Sequence, residues 1–337
     1  IVAVATGEEY RHKGMMAAIL RESLGRMREE GMPFVFLMPA AEAIYRPFGF
    51  RYFYESNTGT LAPCGAAGEA DREAGGEKTA VRPAVSADIP GLVTFSEEIL
   101  QELFDCYTKR DRHYYEMLLA ELASEDGGLL LVTEPGPDGE KEADGRILAA
   151  VPYWGTDPAE IREILCRPRE KERVLFALGR WFGSVLPGER PERVSAAGAS
   201  FPMGERKPVI MGRIADAVSF LELFSAEQET EILLELADDL LEENSGLYLW
   251  SLSWEGSRAR RLSLPQGEIL RAAEVRPGEA VREPAGGDGR MAGAPSGREM
   301  VRTTPAELFS CLMGGREPEG ALRKVRACRR SYINEIV

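Results

Sequence analysis

Apolar and polar residues change rhythm several times along the chain, and each rhythm predicts an element. Small and β-branched residues from Ile1 to Thr6 read as a buried strand, and Gly7-Glu8-Glu9-Tyr10 as a polar turn. From Gly14 to Glu30 the apolar positions Met15, Met16, Ile19, Leu20, Leu24 and Met27 recur at helical spacing. Charge fills the opposite face, and Gly31 supplies a stop. Phe34 to Met38 predicts a strand, Ala40 to Tyr45 a short helix, and Arg51 to Glu55 another strand.

The pattern then lapses. Residues 64–79 hold Gly, Ala and charge with almost nothing to bury, which predicts a linker. A second unit begins at Ala80, with Ser86-Ala87-Asp88 as the cap of a helix through Leu92 and Ile99. Leu129 to Thr133 and Ile147 to Tyr153 read as paired strands, followed by a strand from Ile161 to Cys166 and a helix from Arg173 to Phe182. Gly204 to Pro208 suggests the next boundary. Beyond it lie a strand at Val209 to Arg213, helices at Ala215 to Phe224 and Glu227 to Glu243, and a strand at Gly246 to Trp254. Residues 277–297 are dense in Gly, Pro and charge and predict a loop; Thr304 to Met313 returns to helix, and Tyr332 to Val337 is a strand-like run.

Composition narrows the function classes. A chain of 337 residues implies roughly two or three domains. No run approaches the roughly 20 apolar residues of a membrane span, so no membrane role is expected. The formal charge of −14 opposes attraction to nucleic acid and favours a cationic, amine-bearing small molecule, although a solvated acidic surface is the commoner reason for such a balance. The 5 cysteines are single and lack zinc-ligand spacing, and the 2 histidines, His12 and His113, lie far apart. The sequence therefore predicts no metal and a reducing, cytoplasmic setting. Opening inside a strand at Ile1, it reads as a fragment whose first domain lacks its N-terminal part.

The segment that carries chemistry is Val2-Ala3-Val4-Ala5-Thr6, then Arg11-His12-Lys13-Gly14-Met15-Met16 leading into the first long helix. A strand that ends in a turn before a helix aims free amide N–H groups at one spot, and the helix dipole favours an anion there. Glycine at position 14 lets a pyrophosphate approach closely.

These residues resemble the acyl-coenzyme A loop of the GNAT acetyltransferase superfamily, R/Q-x-x-G-x followed by a small residue. Met16 departs from that small residue, as does the enhanced intracellular survival type of aminoglycoside acetyltransferase, which it resembles there. Ile44-Tyr45-Arg46-Pro47-Phe48-Gly49-Phe50 looks like the Y-x-x-x-G-F/Y signature of the same family. The resemblance implies an α+β / α/β fold. Its parts are the C-terminal part of a catalytic GNAT domain (1–63), the linker (64–79), a degenerate second GNAT-like domain (80–204) and a sterol-carrier-like C-terminal domain (205–337). In the second domain Cys166-Arg167-Pro168-Arg169-Glu170 stands at the cofactor loop, but Pro168 removes a donor and no glycine follows, so no coenzyme is expected there.

The same resemblance implies acetyl-coenzyme A as cosubstrate, held at Val2, Val4, Arg11, His12, Lys13, Gly14, Met15 and Met16. It assigns the general acid to Tyr45 and the base to the carboxylate of Val337, with Glu335 as a substrate contact. It further implies a small-molecule amine or a lysine as acceptor, and a hexamer. Plainer readings stand beside these assignments. Tyr45 also fits a core aromatic, Arg11 and Lys13 solvated charges, and the methionine side chains a helix core stripe. Tyr248, Trp250, Leu252 and Trp254 suit a lipid pocket or simply the alternation of a strand, and the acids from Glu227 to Glu243 suit the wet face of a helix. Cys166 lies beside arginines but has no partnered base. A lipid- or partner-binding scaffold that keeps the fold without turnover is the competing function.

Overall fold

The structure, a computed structural model, describes residues 7, 13–61, 79–134, 145–155, 160–185, 194–197, 205–262 and 299–333. Helices and strands are mixed throughout, as the periodicities predict. Two compact units form: residues 1–53 with 210–329, and residues 54–209 with 330–336. Residues before the linker expected at 64–79 thus share a unit with residues far along the chain. The linker itself (apart from Thr79) and the loop expected at 277–297 lie outside the described residues.

In the first unit the helix Met15–Glu29 buries only Leu20 and Leu24 of its apolar stripe. These two pack with Val35, Leu37, Tyr45, Phe50, Met211, Ala215, Leu240 and Leu241, and Met16 and Met27 cover the edge. Met15 and Ile19, expected in the stripe, are exposed. The strand Phe34–Leu37 pairs antiparallel with Met211–Ile214. A second core is built of rings. Phe309, on the helix Pro305–Leu312, lies 5.2 Å from Phe53, 5.8 Å from Phe34 and 5.7 Å from Phe220 between ring centroids. That helix starts with a reciprocal cap, since Thr304 Oγ1 accepts from the Glu307 amide and the Glu307 carboxylate accepts from the Thr304 amide.

The remainder of this unit is a four-stranded sheet in the order Gly256–Leu262, Gly246–Ser253, Thr230–Leu236, Glu299–Thr303, antiparallel except for the last pair. The helix expected over Glu227 to Glu243 is instead the strand Thr230–Leu236, with Ile232, Leu234 and Leu236 buried in alternation. Glu231 and Glu235 fall between them on the less buried face of the strand, while Asp238 of the same run is buried; period two won over period 3.6. The helix expected from Ala215 to Phe224 shrinks to Ala217–Leu221, and the boundary expected at Gly204 to Pro208 lies largely within the strand Glu205–Ile214. Tyr248, Trp250 and Leu252 are buried, whereas Trp254 at the hairpin tip is 73% exposed, so the four do not line one surface.

The second unit explains its own continuous apolar runs. Its sheet runs in the order Thr58–Leu61, Val194–Ala197, Glu160–Ile161, Arg146–Trp154, Gly128–Glu134, Ala80–Pro83. Successive residues of Leu129-Leu130-Leu131-Val132 enter opposite cores. Leu130 and Val132 meet Val174, Leu178 and Phe182 of the helix Lys171–Val185. Leu129 and Leu131 meet Leu92, Phe95 and Ile99 of the helix Ile89–Leu103, and Tyr115 and Leu122 of the helix Arg112–Ser124. Both faces of the sheet are therefore covered. The stretch expected as one strand from Ile161 to Cys166 is two short ones, Glu160–Ile161 and Leu165–Cys166.

Candidate functional site

Of the residues that the motif assigns to the coenzyme, Lys13, Gly14, Met15 and Met16 are described; Val2, Val4, Arg11 and His12 lie outside the described residues, as do Glu335 and Val337. Gly14 is the N-cap of the helix Met15–Glu29 and is left-handed, with φ 76°. A residue with a Cβ pays roughly 1–2 kcal/mol for that conformation, so glycine is the natural occupant. The first helical hydrogen bond runs from the Ala18 amide to the Gly14 carbonyl, which leaves the Met15, Met16 and Ala17 amides without acceptors inside the helix. The first turn carries no acidic side chain, and Arg26 and Arg28 sit in the last turn. The dipole's positive end thus meets no carboxylate from its own first turn. Among the described residues a Cβ placed on Gly14 would meet nothing within 4 Å, so none of them bars a phosphate-bearing group from the backbone there.

Tyr45 closes the short helix Glu42–Tyr45, which is steadied by an ion pair of 2.8 Å between Glu42 and Arg46. Its ring is buried and stands edge-on to Phe50 at 5.9 Å. It lies in the core cluster with Leu20, Leu24 and Phe50, a placement that fits the plainer reading of a core aromatic as well as the acid role. After Tyr45 the turn Arg46–Phe48 ends at Gly49, left-handed with φ 84°. The carbonyls of this turn are held by arginines. Arg51 Nη1 donates to the Arg46 and Phe50 oxygens at 3.0 and 2.7 Å, and Arg213 Nε donates to the Phe48 oxygen at 2.6 Å.

Arg213 and Asp238 are residues that sequence reasoning missed. They form a buried ion pair at 2.5 Å, each side chain 2% exposed. Burial lowers the Arg213 pKa, and Asp238 works to hold it up. Asp238 also accepts from the Leu240 and Leu241 amides at 3.0 and 3.1 Å and from Asn244 Nδ2 at 3.2 Å. Nothing in the chain flags them: Asp238 sits inside an acidic run, and Arg213 ends an ordinary strand.

The second unit contains another cluster that went unseen. Glu163 takes Arg110 in two-pronged fashion, Nη1 at 2.9 Å and Nη2 at 3.0 Å, and accepts a short hydrogen bond from the Tyr332 hydroxyl. Both ion-pair side chains are 3% exposed. The Arg110 guanidinium also stacks over the Tyr114 and Tyr332 rings at 5.2 and 5.5 Å. Tyr332 belongs to the strand Ser331–Tyr332, which pairs with Cys106–Tyr107.

At the segment where the resemblance leads one to expect a second cofactor loop, Pro168 opens a single turn, Pro168–Glu170, ahead of the helix Lys171–Val185. Arg167 is taken by Glu98 and Glu102, and Glu170 pairs with Arg146 and Arg173. Cys166 is fully buried, and that burial pushes its thiol up to about 12; the arginines beside it in sequence do not activate it. Among the described residues no group of three or more His, Cys, Asp or Glu is placed to hold a metal ion, and no helix is long and apolar enough to cross a membrane.

The family model described as an acetyltransferase (GNAT) domain matches residues 1–53, the segment that holds both Gly14 and Tyr45. Residues 1–53 thus match an acetyltransferase (GNAT) domain. The GNAT-type fold extends beyond it. A GCN5-related N-acetyltransferase from Kribbella flavida is similar over 100% of this chain and 79% of its own, with a TM-score of 0.66 at 17% identity. One from Anabaena variabilis is similar over 98% and 80%, with a TM-score of 0.63 at 17% identity. Eis1 from Mycobacterium abscessus is similar over 99% and 80%, with a TM-score of 0.58 at 14% identity. A comparison with curated proteins finds no match. At such identities the likeness speaks for the fold, while the GNAT assignment itself rests on residues 1–53.

Proposed function

We propose that this protein is an acetyl-coenzyme A-dependent N-acetyltransferase that passes acetyl directly to a primary amine. The acceptor class we infer is a cationic small molecule of the aminoglycoside or polyamine kind, or a lysine, in keeping with the formal charge of −14. The observation that carries the reading is Gly14, left-handed at the head of a helix within the segment that matches the GNAT domain.

Coenzyme, when bound, supplies an acetyl group activated as a thioester. The Met15 and Met16 amides and the helix dipole would hold its diphosphate, and the bare backbone at Gly14 admits it. Lys13 precedes that turn, and Arg11, His12, Val2 and Val4 are kept on the motif alone. Tyr45 would hold on its Oη the proton that the departing sulfur needs. The proton acceptor, by resemblance, is the Val337 carboxylate, with Glu335 contacting the amine.

Thiol release from acetyl-coenzyme A, measured on the full natural chain with tobramycin, spermidine and a lysine peptide, tests the reading. Release above the amine-free rate with one of them, and its loss on deletion of Val337, is expected. No release with any amine would favour a non-catalytic scaffold. Release that survives the deletion would remove Val337 from the mechanism and leave the activity standing.

A further inference from the structure

We propose that the Arg213–Asp238 pair positions Tyr45, so that residues more than 150 places along the chain set the geometry of the general acid. The inference rests on the reading of Tyr45 as that acid. Tyr45 is held at two points, and both lead to the same ion pair. The first is the backbone that follows it: the Phe48 oxygen accepts from Arg213 Nε at 2.6 Å, which pins the turn whose reversal depends on left-handed Gly49. The second is the seat of its ring. Tyr45 packs in one cluster with Met211, Leu240 and Leu241, and the amides of both leucines donate to Asp238 Oδ1.

Arg213 uses its fork fully. Nε goes to the turn, Nη1 to the Ile214 oxygen at 2.7 Å and Nη2 to Asp238, so its planar geometry fixes the distance between the two anchors. A lysine would keep the charge opposite Asp238 and lose the fork. Buried ion pairs are commonly replaceable by apolar residues at little cost in stability, so stability alone gives a fold little reason to keep one here. Fixing a turn beside an acid does give such a reason, because displacing a catalytic group by about 1 Å costs about a hundredfold in rate.

Steady-state kinetics of Arg213→Lys on the full natural chain, with acetyl-coenzyme A and the amine that gives release above, tests this. The expected result is a fall in kcat of tenfold or more, with binding of acetyl-coenzyme A, titrated separately, changed less than about twofold. In a Tyr45→Phe background the same substitution should add almost nothing, because the two act through one group. If Arg213→Lys does not fold, Gly49→Ala takes its place: its Cβ would stand 3.2 Å from Arg213 Nε and its φ is unfavourable, so it disturbs the same turn from the other side. Unchanged kcat, or equal losses in the parent and Tyr45→Phe backgrounds, overturns the inference while the acid reading survives. Full activity of Tyr45→Phe overturns the acid reading and this inference with it.

Discussion

Replacing Glu163 by leucine should unfold the second unit at markedly lower denaturant. The substitution leaves the Arg110 guanidinium in a site where its partner was 3% exposed, and it strips the Tyr332 hydroxyl of its acceptor. In the native protein burial works against the Arg110 charge, but Glu163 outweighs it, so the arginine's pKa stands well above its usual value. The stacking of Arg110 over Tyr114 and Tyr332 is present before and after, and it compensates nothing. Breaking a buried pair by removing one member costs about 3–5 kcal/mol. With a urea slope of about 2 kcal/mol per molar, the midpoint should drop by about 1.5–2.5 M. Cys166 is a local reporter of that transition, since it is fully buried in this unit and burial pushes its thiol up to about 12. Its alkylation, followed site by site by mass spectrometry across a urea series, reads the midpoint. Arg110→Met, Glu163→Leu and Tyr332→Phe made together remove the charge along with both of its polar partners and should recover most of the loss. A shift under about 0.5 M for Glu163→Leu, equivalent to about 1 kcal/mol, would refute the reasoning. So would a triple variant less stable than the single one.

Gly212→Ala should destabilise the first unit, because a Cβ there would stand 2.3 Å from Phe309 Cζ and 2.9 Å from Phe53 Cε1, inside the ring cluster. Overpacking of about 1–3 kcal/mol should lower the urea midpoint read at Cys311 by about 0.5–1.5 M, and an unmoved midpoint would show that the rings yield freely. Asp88→Asn should flatten the acid limb of stability. The Arg82 guanidinium, at 2.6 and 2.8 Å, holds the Asp88 carboxyl below its usual range. Its contribution is thus complete above an ordinary carboxylate pKa of about 3.9 and is lost as pH falls through the lower folded value. Denaturation curves of parent and variant should therefore converge toward pH 2; a constant gap from pH 6 to pH 2 would contradict this.

Much of the fold was legible because many of its elements keep one period. The helix Met15–Glu29, the strands Gly128–Glu134 and Arg146–Trp154 and the helix Lys171–Val185 lie close to their predicted positions. The helix Arg112–Ser124 was missed although Tyr115, Leu118, Leu119 and Leu122 recur at helical spacing. Thr230–Leu236 was misread because glutamates and leucines suit a helix by propensity, while tertiary pairing with Gly246–Ser253 imposed the extended form. The candidate site was half legible. Gly14 and Tyr45 announce themselves through short-range motifs, whereas Arg213, Asp238 and the Arg110–Glu163–Tyr332 cluster depend on partners 25, 53 and 169 positions apart. No local pattern encodes such distances.

The span between Glu163 and Tyr332 also sets a clock. A ribosome adds about 5–20 residues per second, so the Glu163 carboxylate waits roughly 10–30 s after its own synthesis for the phenol that covers it. Until then the nascent second unit holds a charged pair with one wall missing. Its completion waits for the synthesis of position 332, and a chain stalled before that position would keep that wall open.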